Sequence, residues 1–217
     1  MTIHEVETPF GTARVHLRGN SDADAALFLG HGAGGGIQAV DLVAASEAAL
    51  DAGLLIALIE QPYRVAGRRS PPRPLQLDGA WLAVVEHLRA HGLADARLIV
   101  GGRSLGARVA CRTSAATRAV AVLCLAFPLE PPRRGDKPVQ SRLEELDAVT
   151  VPTLVVQGTN DSFGIPPSAS TRQVVVVPGD HGLKADLSAV GDAVRSWLPT
   201  VLGDLRERTV TESSRSR

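Results

Sequence analysis

The sequence has few of the residues that mark specialised classes of protein. Its only cysteines, Cys111 and Cys124, lie in apolar stretches, which excludes a disulfide scaffold and indicates buried thiols in a reducing compartment. The longest apolar runs, 54–59 and 120–127, are far too short to cross a bilayer. Residues 1–5 lack the basic and apolar regions of a signal peptide. A cytoplasmic protein without membrane association is therefore expected.

No charge of either sign dominates. The 217 residues include 23 basic and 23 acidic side chains, whereas a nucleic-acid-binding domain is usually basic. The six histidines form no metal-ligand motif. His87 and His91 are four residues apart in a predicted helix, but no set of carboxylates or cysteines accompanies them, and a solvated face is expected. Neither a nucleic-acid partner nor a metal or other cofactor is implied.

Short apolar runs alternate with amphipathic stretches, over a length typical of one domain. The strand-like runs are 25–29, 54–59, 97–100, 120–127, 153–157 and 173–177. The helix-like stretches are 38–52, 75–91, 104–117, 140–148 and 184–202. This alternation predicts a mostly parallel sheet with helices on both faces.

The ends of the chain and the loops have their own patterns. Two alternating segments around Pro9-Phe10-Gly11 predict an antiparallel hairpin. Residues 61–74 contain four prolines and are predicted to form a loop. We expect a single domain over residues 1–203 and a flexible polar tail over residues 204–217.

The segment Gly102-Arg103-Ser104-Leu105-Gly106 matches the pattern G-x-S-x-G. It follows an apolar run and precedes a helix-like stretch, the context in which a sharp strand-to-helix turn exposes a nucleophilic serine. The flanking glycines let that turn close, because a larger side chain would crowd it. The alternative is a serine that only caps the helix. The context favours Ser104 as a nucleophile.

A glycine-rich turn, His31-Gly32-Ala33-Gly34-Gly35-Gly36, follows the first apolar run. One interpretation is an oxyanion hole, in which the backbone N–H groups of Ala33 and Leu105 bind a developing negative charge. The other is a dinucleotide site, since Gly30, Gly32 and Gly35 match G-x-G-x-x-G and Glu60 lies where an acid is required. The second interpretation leaves the serine motif unexplained. His31 is expected to be structural rather than catalytic.

Two further segments after strand-like runs carry an acid and a histidine. Asp161 follows the run 153–157, and His181 follows the run 173–177. Asp161 is either a turn residue or the acid that orients a histidine. The chain order Ser104, Asp161, His181 is that of α/β-hydrolases. Glu130, after another strand-like run, is an alternative acid.

Five segments resemble a small branch of the α/β-hydrolase superfamily related to dienelactone hydrolases. They are Gln61–Arg64, Gly101–Arg108, Phe127–Leu129, Val156–Gly164 and Asp180–Lys184. The branch also includes testis-expressed proteins and a scaffold subunit of the non-specific-lethal histone acetyltransferase complex. The resemblance covers the chain to about Leu202 and implies Ser104, Asp161 and His181 as the catalytic triad. Dienelactone hydrolases use a cysteine where Ser104 stands, so the resemblance does not imply their activity for this chain.

Arginines cluster in the segments expected to meet at the carboxyl edge of the sheet. They are Arg64, Arg68, Arg69, Arg73, Arg103, Arg133 and Arg134. They either attract an anionic substrate or acidic partner, or are solvated and paired, with Arg103 in a structural ion pair. Arg103, Arg64 and Tyr63 are the candidate substrate-binding residues.

These observations predict an α/β-hydrolase fold without a large lid, since residues 128–152 are too few for one. The predicted function is hydrolysis of a small carboxylic ester or related acyl bond by a serine triad. One alternative is a non-catalytic scaffold on the same fold. The other is a nucleotide-binding protein that uses the turn at residues 30–36. A protein partner is compatible with all three, and the sequence identifies none.

Overall fold

The structure, a computed structural model, describes residues 1–131 and 140–215, with side chains as far as Gly203. The strands are β1 (Thr2–Thr8), β2 (Gly11–Arg18), β3 (Ala25–Gly30), β4 (Leu55–Glu60), β5 (Arg97–Arg103), β6 (Ala121–Leu125), β7 (Thr153–Gly158) and β8 (Arg172–Val177). The helices are α1 (Val40–Asp51), α2 (Pro62–Val65), α3 (Pro74–Leu88), α4 (Leu105–Thr113), α5 (Leu143–Asp147) and α6 (Leu187–Arg215). A turn over Arg89–Leu93 follows α3, and in it His91 and Gly92 leave the helical conformation.

The strands form one sheet in the order β1-β2-β4-β3-β5-β6-β7-β8. β1 and β2 form the predicted antiparallel hairpin, and β2 is also antiparallel to β4, while all other pairs are parallel. β3 lies between β4 and β5. The chain therefore passes from β3 to its neighbour on one side, β4, and then crosses over to its neighbour on the other side, β5. Gly30 therefore lies beside Gly102 in register. Such a reversal opens a crevice at the carboxyl ends of the strands, where α/β proteins bind ligands.

Each face of the sheet carries its own hydrophobic core. Helices α1 and α6 cover the face that includes Leu27 and Leu29. Helices α3, α4 and α5 cover the opposite face, where Phe28 packs near Trp81. Successive residues of β3 therefore point to opposite cores, as the period of a strand requires. A rigid sheet buried on both sides holds the loops at its carboxyl edge.

The segment after β4 differs from its prediction as a loop. Helix α2 begins at Pro62 and spans one turn. A proline fits the first position of a helix, because the missing N–H has no intrahelical partner there. The prolines of this segment therefore break longer helices but start a short one.

Helix α6 runs to Arg215, beyond the predicted end at Leu202. The flexibility of the tail, residues 204–217, stays a prediction, because its side chains lie outside the described residues. Arg133 and Arg134 lie outside them as well. Among the described residues between β6 and β7, the only helix is the five-residue α5. No helix in the described part of the chain is long and apolar enough to span a membrane.

Candidate active site

Ser104 occupies the sharp turn between β5 and α4. Its backbone has φ 52° and ψ −107°, a conformation that L-residues rarely adopt. A Cβ atom on Gly106 would collide with the carbonyl group of Gly30. A Cβ atom on Gly102 would collide with the oxygen of that same carbonyl. The two glycines are therefore required by the close approach of β3. The turn holds the Ser104 side chain at the carboxyl edge of the sheet.

His181 lies between Ser104 and Asp161. Its Nε2 is 2.9 Å from Oγ of Ser104, and its Nδ1 is 2.8 Å from Oδ2 of Asp161. The Asp161 side chain is fully buried, whereas that of His181 is 20% exposed. A carboxylate accepts hydrogen bonds, so Nδ1–H of His181 donates to it. The lone pair of Nε2 then faces the Ser104 hydroxyl, so the imidazole can accept the hydroxyl proton.

The backbone and one buried amide hold Asp161 in place. Nε2 of Gln157 donates to Oδ2 of Asp161 over 2.8 Å, and the N–H of Phe163 donates to Oδ1 over 2.9 Å. The ring of Phe163 packs on His181, with 4.3 Å between the ring centroids. Sequence reasoning did not identify Gln157 and Phe163 as supports, because their roles arise only when the loops after β7 and β8 meet.

Glu130, the alternative acid, is exposed, and its backbone N–H donates to the carbonyl of Phe163. Its side chain has no hydrogen bond to His181 in the structure as described. Asp161, and not the alternative Glu130, therefore lies beside the imidazole of His181.

The glycine-rich turn lies beside Ser104. A Cβ atom on Gly32 would stand 3.7 Å from Cβ of Ser104. Within residues 1–131 and 140–203, neither the N–H of Ala33 nor that of Leu105 has a hydrogen-bond partner. Leu105 is also the first residue of α4, where the helix dipole favours negative charge. The two N–H groups are therefore available donors close to Ser104.

The dinucleotide interpretation does not fit this arrangement. Oε2 of Glu60 is 3.0 Å from Nε2 of His16 and 3.8 Å from a guanidinium nitrogen of Arg14, so the acid is already paired. The helix after the glycine turn begins only at Val40. That interpretation needs a helix that begins directly at the glycine-rich turn, so that its N-terminus binds the pyrophosphate. No helix of the described residues begins at this turn.

Arg103 is held by protein groups. Its Nη2 donates to the carbonyl of His181 over 2.9 Å. Its Nε is 2.9 Å from Oδ2 of Asp41, an ion-pair distance, although that N–H is not aimed at the oxygen. Burial raises the pKa of Asp41, and the charge of Arg103 opposes the rise. This placement favours the structural alternative for Arg103, and Asp41 is a partner that sequence reasoning missed.

The other two candidate substrate-binding residues lie on α2. Tyr63 is buried, and its hydroxyl donates to the carbonyl of Ala33 over 2.9 Å, so it supports the glycine-rich turn rather than offering a ring to a substrate. Arg64 is half-buried, and its one side-chain hydrogen bond to a described residue is a long one of 3.4 Å to the carbonyl of Arg68. Arg68, Arg69 and Arg73 are exposed.

His87 and His91 stack with 4.2 Å between their ring centroids, away from this edge. In the described ranges, no group of three His, Cys, Asp or Glu side chains is arranged to hold a metal ion.

Comparison with known proteins agrees with this architecture. The sequence model of the family described as alpha/beta hydrolase domain matches residues 23–193. Since that is most of the chain, the protein belongs to the α/β-hydrolase family, and the predicted fold is confirmed. No curated protein matches the chain. The narrower placement beside testis-expressed proteins and the histone acetyltransferase subunit stays a prediction.

Solved structures show the same fold at low sequence identity. An alpha-beta serine hydrolase homologue from Coxiella burnetii has a TM-score of 0.73 at 16% identity, with 91% of this chain and 97% of that one covered. An α/β serine hydrolase without a lid from Xanthomonas campestris has a TM-score of 0.68 at 20% identity, with coverages of 91% and 95%. A dienelactone hydrolase from Anabaena variabilis has a TM-score of 0.68 at 17% identity, with coverages of 90% and 95%.

Proposed function

We propose that the protein is a serine hydrolase that cleaves a small carboxylic ester or related acyl bond. The observation that carries the proposal is the continuous contact from Asp161 through His181 to Ser104, with distances of 2.8 Å and 2.9 Å. A scaffold that performs no chemistry has no physical need for a strained serine beside an imidazole held by a buried carboxylate.

The proposed reaction begins with a proton transfer. Nε2 of His181 accepts the proton of Ser104 as Oγ attacks the substrate carbonyl. The carbonyl π pair moves to oxygen, and the N–H groups of Ala33 and Leu105 stabilise that oxyanion. His181 then protonates the leaving group, which departs and leaves an acyl-enzyme. A water molecule, deprotonated by His181, repeats the sequence and releases the acid.

We further propose that the substrate carries a negative charge. Residues 61–77 contain four arginines and no acidic residue. None of Arg64, Arg68, Arg69 and Arg73 forms an ion pair within the described part of the chain. Arg64 follows Tyr63, whose hydroxyl contacts the carbonyl of Ala33. A cation near this turn favours an anionic substituent on the ester or thioester.

Labelling with a fluorophosphonate tests the activated serine directly. We expect one adduct, on Ser104, because phosphonylation needs a deprotonated hydroxyl and an oxyanion hole. Ser104→Ala should abolish the label, and His181→Ala should slow it by at least about a hundredfold. The matched control is Ser21→Ala, an exposed serine before β3, which should label like the wild type.

The location of the adduct, read by mass spectrometry, decides the proposal. A folded wild-type protein that takes no label, or takes it equally after His181→Ala, would contradict it. The scaffold alternative would then be the better account.

A further inference from the structure

We propose that His31 and Tyr63 are positioning residues that together set the direction of the Ala33 N–H, the donor assigned above to the oxyanion. This inference rests on the proposed function. Neither side chain needs to touch the substrate, because each acts on a peptide unit next to Ala33.

The turn needs such support because of its composition. Gly32, Gly34, Gly35 and Gly36 surround Ala33. A Cβ atom on any of the last three would meet no atom of the described residues within 4 Å, so close approach within that part of the chain does not explain these glycines. Glycine populates many backbone conformations. The direction of an N–H in this turn must therefore be set by contacts from outside it.

His31 sets the peptide unit before Ala33. Its Nε2 is 3.1 Å from the backbone nitrogen of Gln61, and its Nδ1 is 2.8 Å from the carbonyl oxygen of Gly32. A backbone N–H only donates, so Nε2 accepts and the ring proton sits on Nδ1. That proton is donated to the Gly32 carbonyl. His31 is 2% exposed, which leaves the ring little room to turn.

The carbonyl of Gly32 and the N–H of Ala33 belong to the same peptide unit. Because that unit is planar and trans, the two bonds point in opposite directions. Holding the carbonyl on His31 therefore aims the N–H of Ala33 away from His31. The same peptide unit lies beside the nucleophile, since a Cβ on Gly32 would be 3.7 Å from that of Ser104.

Tyr63 sets the peptide unit after Ala33. Its hydroxyl donates to the carbonyl of Ala33 over 2.9 Å. Burial raises the pKa of Tyr63 to about 12, so the hydroxyl keeps its proton over the working range of pH. Both peptide units that flank Ala33 are thus held by side chains. Gln61 and Tyr63 also lie together, at the start of α2, so one short helix supports both contacts.

The charge state of His31 is consistent with this arrangement. Burial lowers the pKa of His31, and the positive charge of Arg64 acts in the same direction. The hydrogen bond to Gly32 and the negative charge of Glu60 oppose the shift. A neutral ring is required, because a protonated Nε2 would face the N–H of Gln61.

Three variants separate the contacts. Tyr63→Phe removes only the hydroxyl. His31→Gln keeps an acceptor near the position of Nε2 but has no donor near that of Nδ1, whereas His31→Asn keeps a donor near Nδ1. The control is His91→Gln, an exposed histidine beyond α3.

The first measurement is hydrolysis of p-nitrophenyl acetate. We expect kcat to fall by about tenfold in Tyr63→Phe and by about thirtyfold in His31→Gln, with KM changed less than about threefold. His31→Asn should recover part of the loss relative to His31→Gln. If His31 and Tyr63 only stabilised the fold, their variants would instead have a lower melting temperature and would not show a fall in kcat with KM nearly unchanged.

The second measurement is inhibition by 1,1,1-trifluoroacetone, which adds to a serine as a tetrahedral adduct. In that step the Oγ–C bond forms, the carbonyl π pair moves to oxygen and the proton of Ser104 passes to His181. Because the adduct carries an oxyanion, its inhibition constant should rise by the same factor as kcat/KM falls.

The outcomes distinguish this inference from the proposed function. A wild-type protein that neither hydrolyses the ester nor takes the fluorophosphonate would overturn both. An active wild type whose Tyr63→Phe and His31→Gln variants retain its kcat and its affinity for trifluoroacetone would overturn this inference alone.

Discussion

At the scale of the residue, Arg103 illustrates how a side chain next to the proposed nucleophile, Ser104, can serve the fold. Its guanidinium joins the carbonyl of His181 to the carboxylate of Asp41, which is 1% exposed. We expect Arg103→Met to lower the free energy of unfolding by about 2–4 kcal/mol, because it leaves a buried charge without its partner. Urea denaturation measures this loss. Turnover should fall as well, because the loop that carries His181 loses a contact.

A double variant checks the cause of that loss. Asp41→Asn removes the charge and keeps an oxygen that can accept the N–H of Leu42, as Oδ1 of Asp41 does over 3.0 Å. The double variant Asp41→Asn/Arg103→Met should therefore be more stable than Arg103→Met alone. If both are equally destabilised, the unpaired charge is not the cause.

At this scale, the sequence predicts the role of a residue only when that role follows from the residue's position relative to a neighbouring strand or helix. Ser104, Asp161 and His181 each follow a strand, and the carboxyl ends of parallel strands meet, so their proximity could be foreseen. Asp41 and Tyr63 act through contacts between segments distant in the chain. No local pattern encodes such a contact, so Arg103 and Tyr63 appeared as substrate-binding candidates.

At the scale of the element, four charged side chains tie helices α3, α4 and α5 together. Arg108 donates twice to Glu145, at 2.6 Å and 2.8 Å, and Arg112 bridges Glu145 and Asp78. We expect Glu145→Gln to lower the free energy of unfolding at pH 7 by about 1–2 kcal/mol, since the guanidiniums lose a partly buried partner. Glu144→Gln, an exposed change on the same helix, is the control for urea denaturation.

The effect of Glu145→Gln should depend on pH. Burial alone would raise the pKa of Glu145, but the hydrogen bonds and charges of Arg108 and Arg112 outweigh burial and lower it from 4.5. A lowered carboxyl pKa contributes stability above the unfolded value and loses it as pH falls through the folded value. The difference between Glu145→Gln and the wild type should therefore narrow below about pH 4.5. A difference that is constant down to pH 3 would contradict the ion-pair explanation.

Elements were predicted well where hydrophobic periodicity was long and less well where short-range geometry decides. The strand-like run 54–59 became β4 almost unchanged, because a buried strand is apolar on both faces. Helix α2 was missed, since a single turn has no periodicity and its prolines are typical of a loop. The order of β3 and β4 in the sheet also has no local signal, because it depends on which side each crossover packs.

At the scale of the whole molecule, charge is balanced in total but not in distribution. The formal net charge is zero, yet residues 61–77, which follow the carboxyl end of β4, contain four arginines and no acid. Balanced total charge gives no long-range attraction for anions. Any preference for them must therefore come from local contacts with these arginines.

Two esters of nearly equal shape test that preference. p-Nitrophenyl hemisuccinate and p-nitrophenyl isocaproate differ by a carboxylate in place of an isopropyl group. We expect kcat/KM to favour the hemisuccinate by about two- to fivefold at low salt, the range of one solvated ion pair. Arg64→Gln should remove most of that preference, whereas Arg195→Gln, an exposed change on α6, should leave it intact. Because salt screens exposed charges, raising the ionic strength to 1 M should lower kcat/KM for the hemisuccinate and not for the isocaproate. Equal values for both esters at every salt concentration would show that these arginines do not select the substrate.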